Sequence, residues 1–132
     1  MSGKFEQVKQ YIQDMNMIIV SEDAQEELVV VDDEENGIKN LIIDCEAPIV
    51  ILEQGIMRTP KENSDQLFKR LLQMNRSLVH GAFVLDETGE MILFRDTLQL
   101  ENLDRNELEG SVHALSLGLS EYGNELLEYM VY

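Results

Sequence analysis

The chain has no tryptophan, one cysteine, two prolines and ten lysines and arginines against 26 aspartates and glutamates. Each shortage excludes something. With Cys45 alone no intramolecular disulfide can form, and a tetrahedral zinc site finds neither enough thiols nor closely spaced histidines, since His80 and His113 stand far apart. The basic residues are scattered, with only short pairs such as Lys69-Arg70, so the chain lacks the cationic surface that releases counterions from nucleic acid. Anionic membrane surfaces are disfavoured for the same reason. No apolar run approaches the ~20 residues of a bilayer-spanning helix. The opening residues, Met1 to Glu6, carry no apolar run of the kind that makes a secretory signal. The expected location is the cytoplasm, where a lone cysteine at the end of an apolar run serves as a small buried hydrophobe. Aromatic residues are few, so Leu, Ile, Val and Met must supply the core.

What is present begins with charge. A formal net charge of -16 keeps a protein soluble and repels polyanions, and it speeds encounter with a basic partner. At 132 residues the chain reads as one domain, 1–132, long enough to bury roughly two-thirds of its unfolded surface.

Three stretches are apolar on consecutive residues: Leu28 to Val31, Leu41 to Ile43, and Ile49 to Leu52. As strands they place successive side chains on opposite faces of a sheet. Both faces are then apolar, and the chain has few other elements with which to cover them. One face is therefore a candidate surface for another chain. The candidate residues are Val29, Val31, Leu41, Ile43, Ile49 and Ile51; the pattern alone does not say which alternate set faces inward.

Around these strands the remaining elements can be placed. Phe5, Val8, Ile12 and Met15 recur at helical spacing, with Tyr11 beside them. A short apolar run, Met17 to Val20, follows and leads into the acidic segment 21–27. The first strand ends in Asp32-Asp33-Glu34-Glu35-Asn36-Gly37, where Asn-Gly is a strong hairpin signal because both residues tolerate positive φ. The second strand covers about 38–44. Pro48 marks the next turn and Pro60 the end of the third strand, with Gly55 as a bulge between them. Asn63 with Gln66 predicts a capping box for a helix carrying Leu67, Phe68, Leu71, Leu72 and Met74. A hairpin joins residues 82–85 to 91–94 through Asp86-Glu87-Thr88-Gly89. The last helix has Asp104 as N-cap, Glu107 as its box partner and Leu103 with Leu108 as a hydrophobic staple. Its seam is Leu108, Val112, Leu115, Leu119, Tyr122, Leu126 and Tyr129, and beside it runs a small-residue stripe, Gly110, Ala114 and Gly118. The seam is read as lying across the chain's own sheet rather than in an intermolecular coiled coil. The predicted class is α+β, an antiparallel sheet in the order α-β-β-β-α-β-β-α.

No constellation promises chemistry. Asp32, Glu34, Asn36 and Gly37 match positions 1, 3, 5 and 6 of a calcium loop, but Ile43 stands where the bidentate glutamate belongs. Cys45 with His80 or His113 is the one thiol–imidazole option. Ser111 and His113 are two apart on a helix and point in different directions. Neither phosphate-loop pattern is present. The reading is a protein without enzymatic activity, cofactor or metal.

The second half of the chain resembles the type III secretion (Tir) chaperone fold, and within it the YbjN-like family. The residues that carry the resemblance run from Leu71-Leu72-Gln73-Met74-Asn75 through His80-Gly81-Ala82-Phe83-Val84-Leu85-Asp86-Glu87-Thr88-Gly89. They continue as Met91-Ile92-Leu93-Phe94-Arg95, Leu98, Leu100, Leu103-Asp104 and Glu107-Leu108. The resemblance implies a small acidic cytoplasmic protein, often a homodimer, that holds an extended client segment on apolar sheet and helix surface. Relatives of the YbjN type imply an alternative, a regulatory adaptor that docks a basic partner through its acidic surface.

Overall fold

The computed structural model describes residues 3–130; Met1 and Ser2, part of the stretch read above for targeting, lie outside them. Helix α1 (Gly3–Asp14) is followed by β1 (Ile18–Asp23), β2 (Leu28–Asp33), β3 (Ile38–Glu46) and β4 (Ile49–Arg58). Helix α2 (Ser64–Asn75), β5 (Ala82–Leu85), β6 (Met91–Gln99) and α3 (Arg105–Leu127) complete the chain. All six strands form one antiparallel sheet in the order β1-β2-β3-β4-β6-β5. The α+β class and antiparallel sheet are as the sequence predicts.

The structure adds one strand to the predicted order. Residues 18–23 pair with β2, although half of them are Ser, Glu and Asp. Acidic side chains are poor strand formers, but β1 is an edge strand, where charge is tolerated and discourages unwanted pairing. Lys9 of α1 also donates to Glu22 of β1 at 2.9 Å.

The β2–β3 hairpin forms where Asn36-Gly37 signals it, with a different turn, and one capping prediction fails. Asn36 lies in a 3-10 turn (Glu34–Asn36), and Gly37 alone takes the left-handed conformation, φ 75°. The connection is thus longer than a two-residue hairpin. Asn36 instead donates its amide to Asp33 at 2.7 Å. Asn63 is itself left-handed (φ 60°), which turns its side chain away from the first turn of α2, and it makes no side-chain cap. At α3 the cap forms: Asp104 accepts from the Glu107 N–H at 2.8 Å, and Leu103 and Leu108 are both buried.

One core holds the helices against the sheet. It contains Phe5, Val8 and Ile12 of α1; Leu67, Leu71 and Met74 of α2; and Leu108, Val112, Leu115, Tyr122 and Leu126 of α3. The α3 seam therefore lies on its own sheet. Gly118 of the small-residue stripe packs toward Leu78 and Phe83 of the same chain. Phe83 meets Phe94 and Tyr122 edge-on, with ring centroids 6.0 and 6.4 Å apart.

Gly81 is a position that only glycine fits. Its φ is 74°, and a Cβ there would lie 2.7 Å from Cε1 of the buried Phe94 and 3.1 Å from the Arg95 carbonyl oxygen. Both the left-handed backbone and the clash penalise a side chain. Gly81→Ala is expected to cost about 2–4 kcal/mol, read as a lower urea midpoint at unchanged m-value.

Candidate partner-binding surface

The period-two alternation of the strands sorts the six sequence-predicted residues into two groups. Val29, Val31, Leu41 and Ile43 are fully buried and belong to the core under the helices. As partner-binding candidates they are corrected: the register pairs Val29 with Ile43 and Val31 with Leu41 on one face, and that face is already covered. Ile49 and Ile51 lie on the opposite face and are only half-buried.

Strand register identifies what accompanies them. Val30, Ile42, Glu53, Arg95 and Ala82 follow one another across β2, β3, β4, β6 and β5. The next row is Leu28, Asp44, Ile51 and Thr97. Ile49 sits between Glu46 and Gln99, and Leu93 between Gly55 and Val84. None of these side chains is buried, and Ile42, in the centre of the sheet, is 39% exposed. An antiparallel sheet with one solvated face ordinarily alternates apolar with polar. Here the uncovered face keeps an apolar cluster of Leu28, Val30, Ile42, Ile49 and Ile51 on β2 to β4 and a smaller one of Val84 and Leu93 on β5 and β6, with the Glu53–Arg95 pair between them; apolar clusters on an open face mark interaction surfaces.

The sheet's two edges differ. Asn75 of α2 reaches the outer edge of β5, accepting from the Phe83 N–H at 2.8 Å and donating to its carbonyl at 3.1 Å. That edge is closed at its middle. The β1 edge carries the exposed Ile18 and Val20 and a register shift between Ile19 and Ser21. Asn75 stood in the sequence as one polar residue near a helix end, with no signal of this task.

Within the larger cluster lies one ionisable group out of place. Asp44 sits between Leu28 and Ile51, and its Oδ1 is buried with no hydrogen-bond partner. Burial pushes its carboxyl up to about 6, with repulsion from Glu46, a side-chain hydrogen bond with Glu46, and repulsion from Glu26 and Glu53 adding to the rise. The charged groups that act on it are all acids, and the cations Arg95 and Lys39 are engaged elsewhere on the sheet, Arg95 with Glu53 and Lys39 with Asp32 at 3.1 Å.

The residues weighed for chemistry are given structural work or kept apart. Cys45 is buried on the helix-covered face, and burial followed by Glu27 and Asp44 pushes its thiol up to about 12. It borders a different cavity from the one that His80 and His113 line. Ser111 donates to Asp96 at 2.7 Å, fastening α3 to β6. Asp32, of the calcium-like turn, accepts from the Asn40 N–H at 2.8 Å and pairs with Lys39, which together hold its carboxyl below the usual range. Among the described residues no group of three or more His, Cys, Asp or Glu side chains is placed to hold a metal ion, and no helix is long and apolar enough to cross a membrane.

The folded protein binds the Asp44 proton more tightly than the unfolded chain does. The stability gained from that proton is full below about pH 4 and is lost as the pH rises through about 6. Asp44→Asn is therefore expected to stabilise the protein at pH 7.5 by about 1–2 kcal/mol. Urea denaturation from pH 7.5 down to 4.5 should show that advantage narrowing.

Comparison with known proteins follows the same architecture. The sequence matches the family model CesT_Tir_1 over residues 1–132. Among solved structures it is similar to YbjN from E. coli, a proposed transcription regulator, with a TM-score of 0.71, 14% identity and 92% of each chain covered. It is also similar to a chain of the HopA1-SchA chaperone-effector complex, with a TM-score of 0.62 and 12% identity, over 87% of this chain and 89% of that one. At such identities the likeness is one of fold. No curated protein sequence matches the chain.

Proposed function

The chain belongs to the CesT_Tir_1 family of type III secretion chaperones, and from that premise we propose that it is a non-enzymatic cytoplasmic module that holds an extended segment of a partner protein. The observation that carries the proposal is the uncovered sheet face. Fully burying an exposed Leu, Ile or Val side chain contributes roughly 1.5–3 kcal/mol, and this face leaves seven of them part-exposed, each with a fraction of that still to gain. A partner segment laid on it, or added as a strand at the β1 edge, gains that burial. The β5 edge is less suited, because Asn75 already occupies the Phe83 backbone groups. The chaperone-effector complex among the structural neighbours supports a protein client as the partner class.

A second reading, a regulatory adaptor, draws on the net charge of -16 and on a neighbour described as a proposed transcription regulator. It differs in mechanism, since charge-led docking of a basic partner weakens steeply with added salt and apolar docking does not.

Self-association belongs to the same proposal but is assigned to the helix side. Val79, 86% exposed, and the exposed Leu117 flank the packed pair Leu78 and Gly118. A homodimer built there leaves the sheet face free for a client. Light scattering is expected to show a dimer that Leu117→Asp converts to monomer; a dimer lost in the I49D/I51D variant instead would assign the sheet face to a second copy.

Ile49→Asp with Ile51→Asp tests the client surface. The pair faces away from the core, so the variant is expected to keep its circular dichroism spectrum and a cooperative melt. In pull-downs from native cytoplasm it should lose a protein that the wild type retains at both low and high salt. A double variant that unfolds would show that this face is core.

A further inference from the structure

We propose that the open sheet face selects an apolar partner segment that carries a lysine or arginine, with the cation seated against Asp44. This rests on the reading of that face as the docking surface and adds the chemistry of what docks there.

The argument is one of complementarity. Asp44 occupies the row between Leu28 and Ile51, so any segment that covers these two also covers the carboxyl. Its Oδ1 has no hydrogen-bond partner. An apolar cover would remove the water that still reaches the rest of this part-exposed side chain and leave its charge unpaired, which is costlier than burying a neutral polar group. A cation seated against the part-exposed Asp44 carboxylate offsets that cost through a charge-assisted contact in a drying environment. The face offers no internal substitute. Around Asp44 stand Glu46 on its own strand, Glu53 on β4 and Glu26 in the β1–β2 turn. Thr97 follows in the same row on β6, and Arg95, two strands away in the adjacent row, is paired with Glu53. A second copy of this chain fits less well here, because an isologous contact lays one acidic patch, with Asp44 and Glu46, on another.

The test uses three synthetic nine-residue peptides of alternating Ile and Thr, alike except for a central Lys, norleucine or Glu, each fluorescently labelled. Anisotropy at pH 7.5 is expected to rank Lys above norleucine by about tenfold and Glu last. Asp44→Asn should erase the Lys preference while norleucine binding persists. Lowering the pH to 5 should shrink the preference in wild type, because protonated Asp44 no longer attracts the cation. Ile49→Asp with Ile51→Asp should abolish all three interactions. Equal binding of the Lys and norleucine peptides by wild type would overturn the charge selection and leave the apolar docking reading standing. A Lys preference that survives Asp44→Asn would assign it to general acidity and overturn the role of Asp44. Failure of every peptide to bind, or binding unaffected by the double variant, would overturn the docking reading of the face together with this proposal.

Discussion

A sheet of six strands covered on one side only is the constraint on which the rest of this structure depends. Side chains alternate along every strand, so the helices can bury only half of what the strands carry. The three helices supply Phe5, Ile12, Leu67, Met74, Leu108 and Leu115 to one face, and there Val29, Val31, Leu41, Ile43 and Leu52 vanish from solvent. The other half of each strand stays outside. In this chain that half sets Leu28, Val30, Ile42, Ile49 and Ile51 among acids and a single ion pair, more apolar surface than a sheet facing only water requires.

Polar contacts fix the covering layer in place. Ser111 ties α3 to β6 through Asp96. Arg70 of α2 forks onto Glu125 of α3 at 2.5 and 3.0 Å and lies over the Tyr122 ring. Asn75 joins α2 to the β5 backbone. Gln54, buried in the sheet, accepts from the Lys39 N–H at 3.0 Å and so secures the start of β3. Each of these satisfies a group that would otherwise be costly to bury, and each acts on the helix-covered side or at its margin. On the open face Arg95 pairs with Glu53, while the recessed Asp44 carboxyl is left with an oxygen unmatched.

Charge and apolar surface are thus parts of one arrangement. A net charge of -16 repels polyanions, while the uncovered apolar residues favour a protein segment. Where the two meet, around Asp44, a purely apolar contact and a purely ionic one are each incomplete. The family relationship agrees with a protein partner, and the surface itself describes what kind of segment satisfies both demands.

Local chemistry was legible in the sequence where the signal was self-contained. The α3 seam and its Asp104 cap, the Gly89 turn at φ 75° and the Gly55 bulge depend on neighbours in the chain, and all appear. The consecutive apolar runs also announced that both sheet faces would be apolar. What the sequence left open was decided by long-range packing. Strand β1 exists because β2 offers an edge to pair with, not because Ser21, Glu22 and Asp23 favour extension. Asn63 lost its capping role to the left-handed turn that leads into α2. Above all, a run such as Ile49-Val50-Ile51-Leu52 is the same sequence whichever face the helices cover. Only the tertiary arrangement places Val50 and Leu52 in the core and leaves Ile49 and Ile51 outside, because which side is buried is a property of the covering layer and not of the strand.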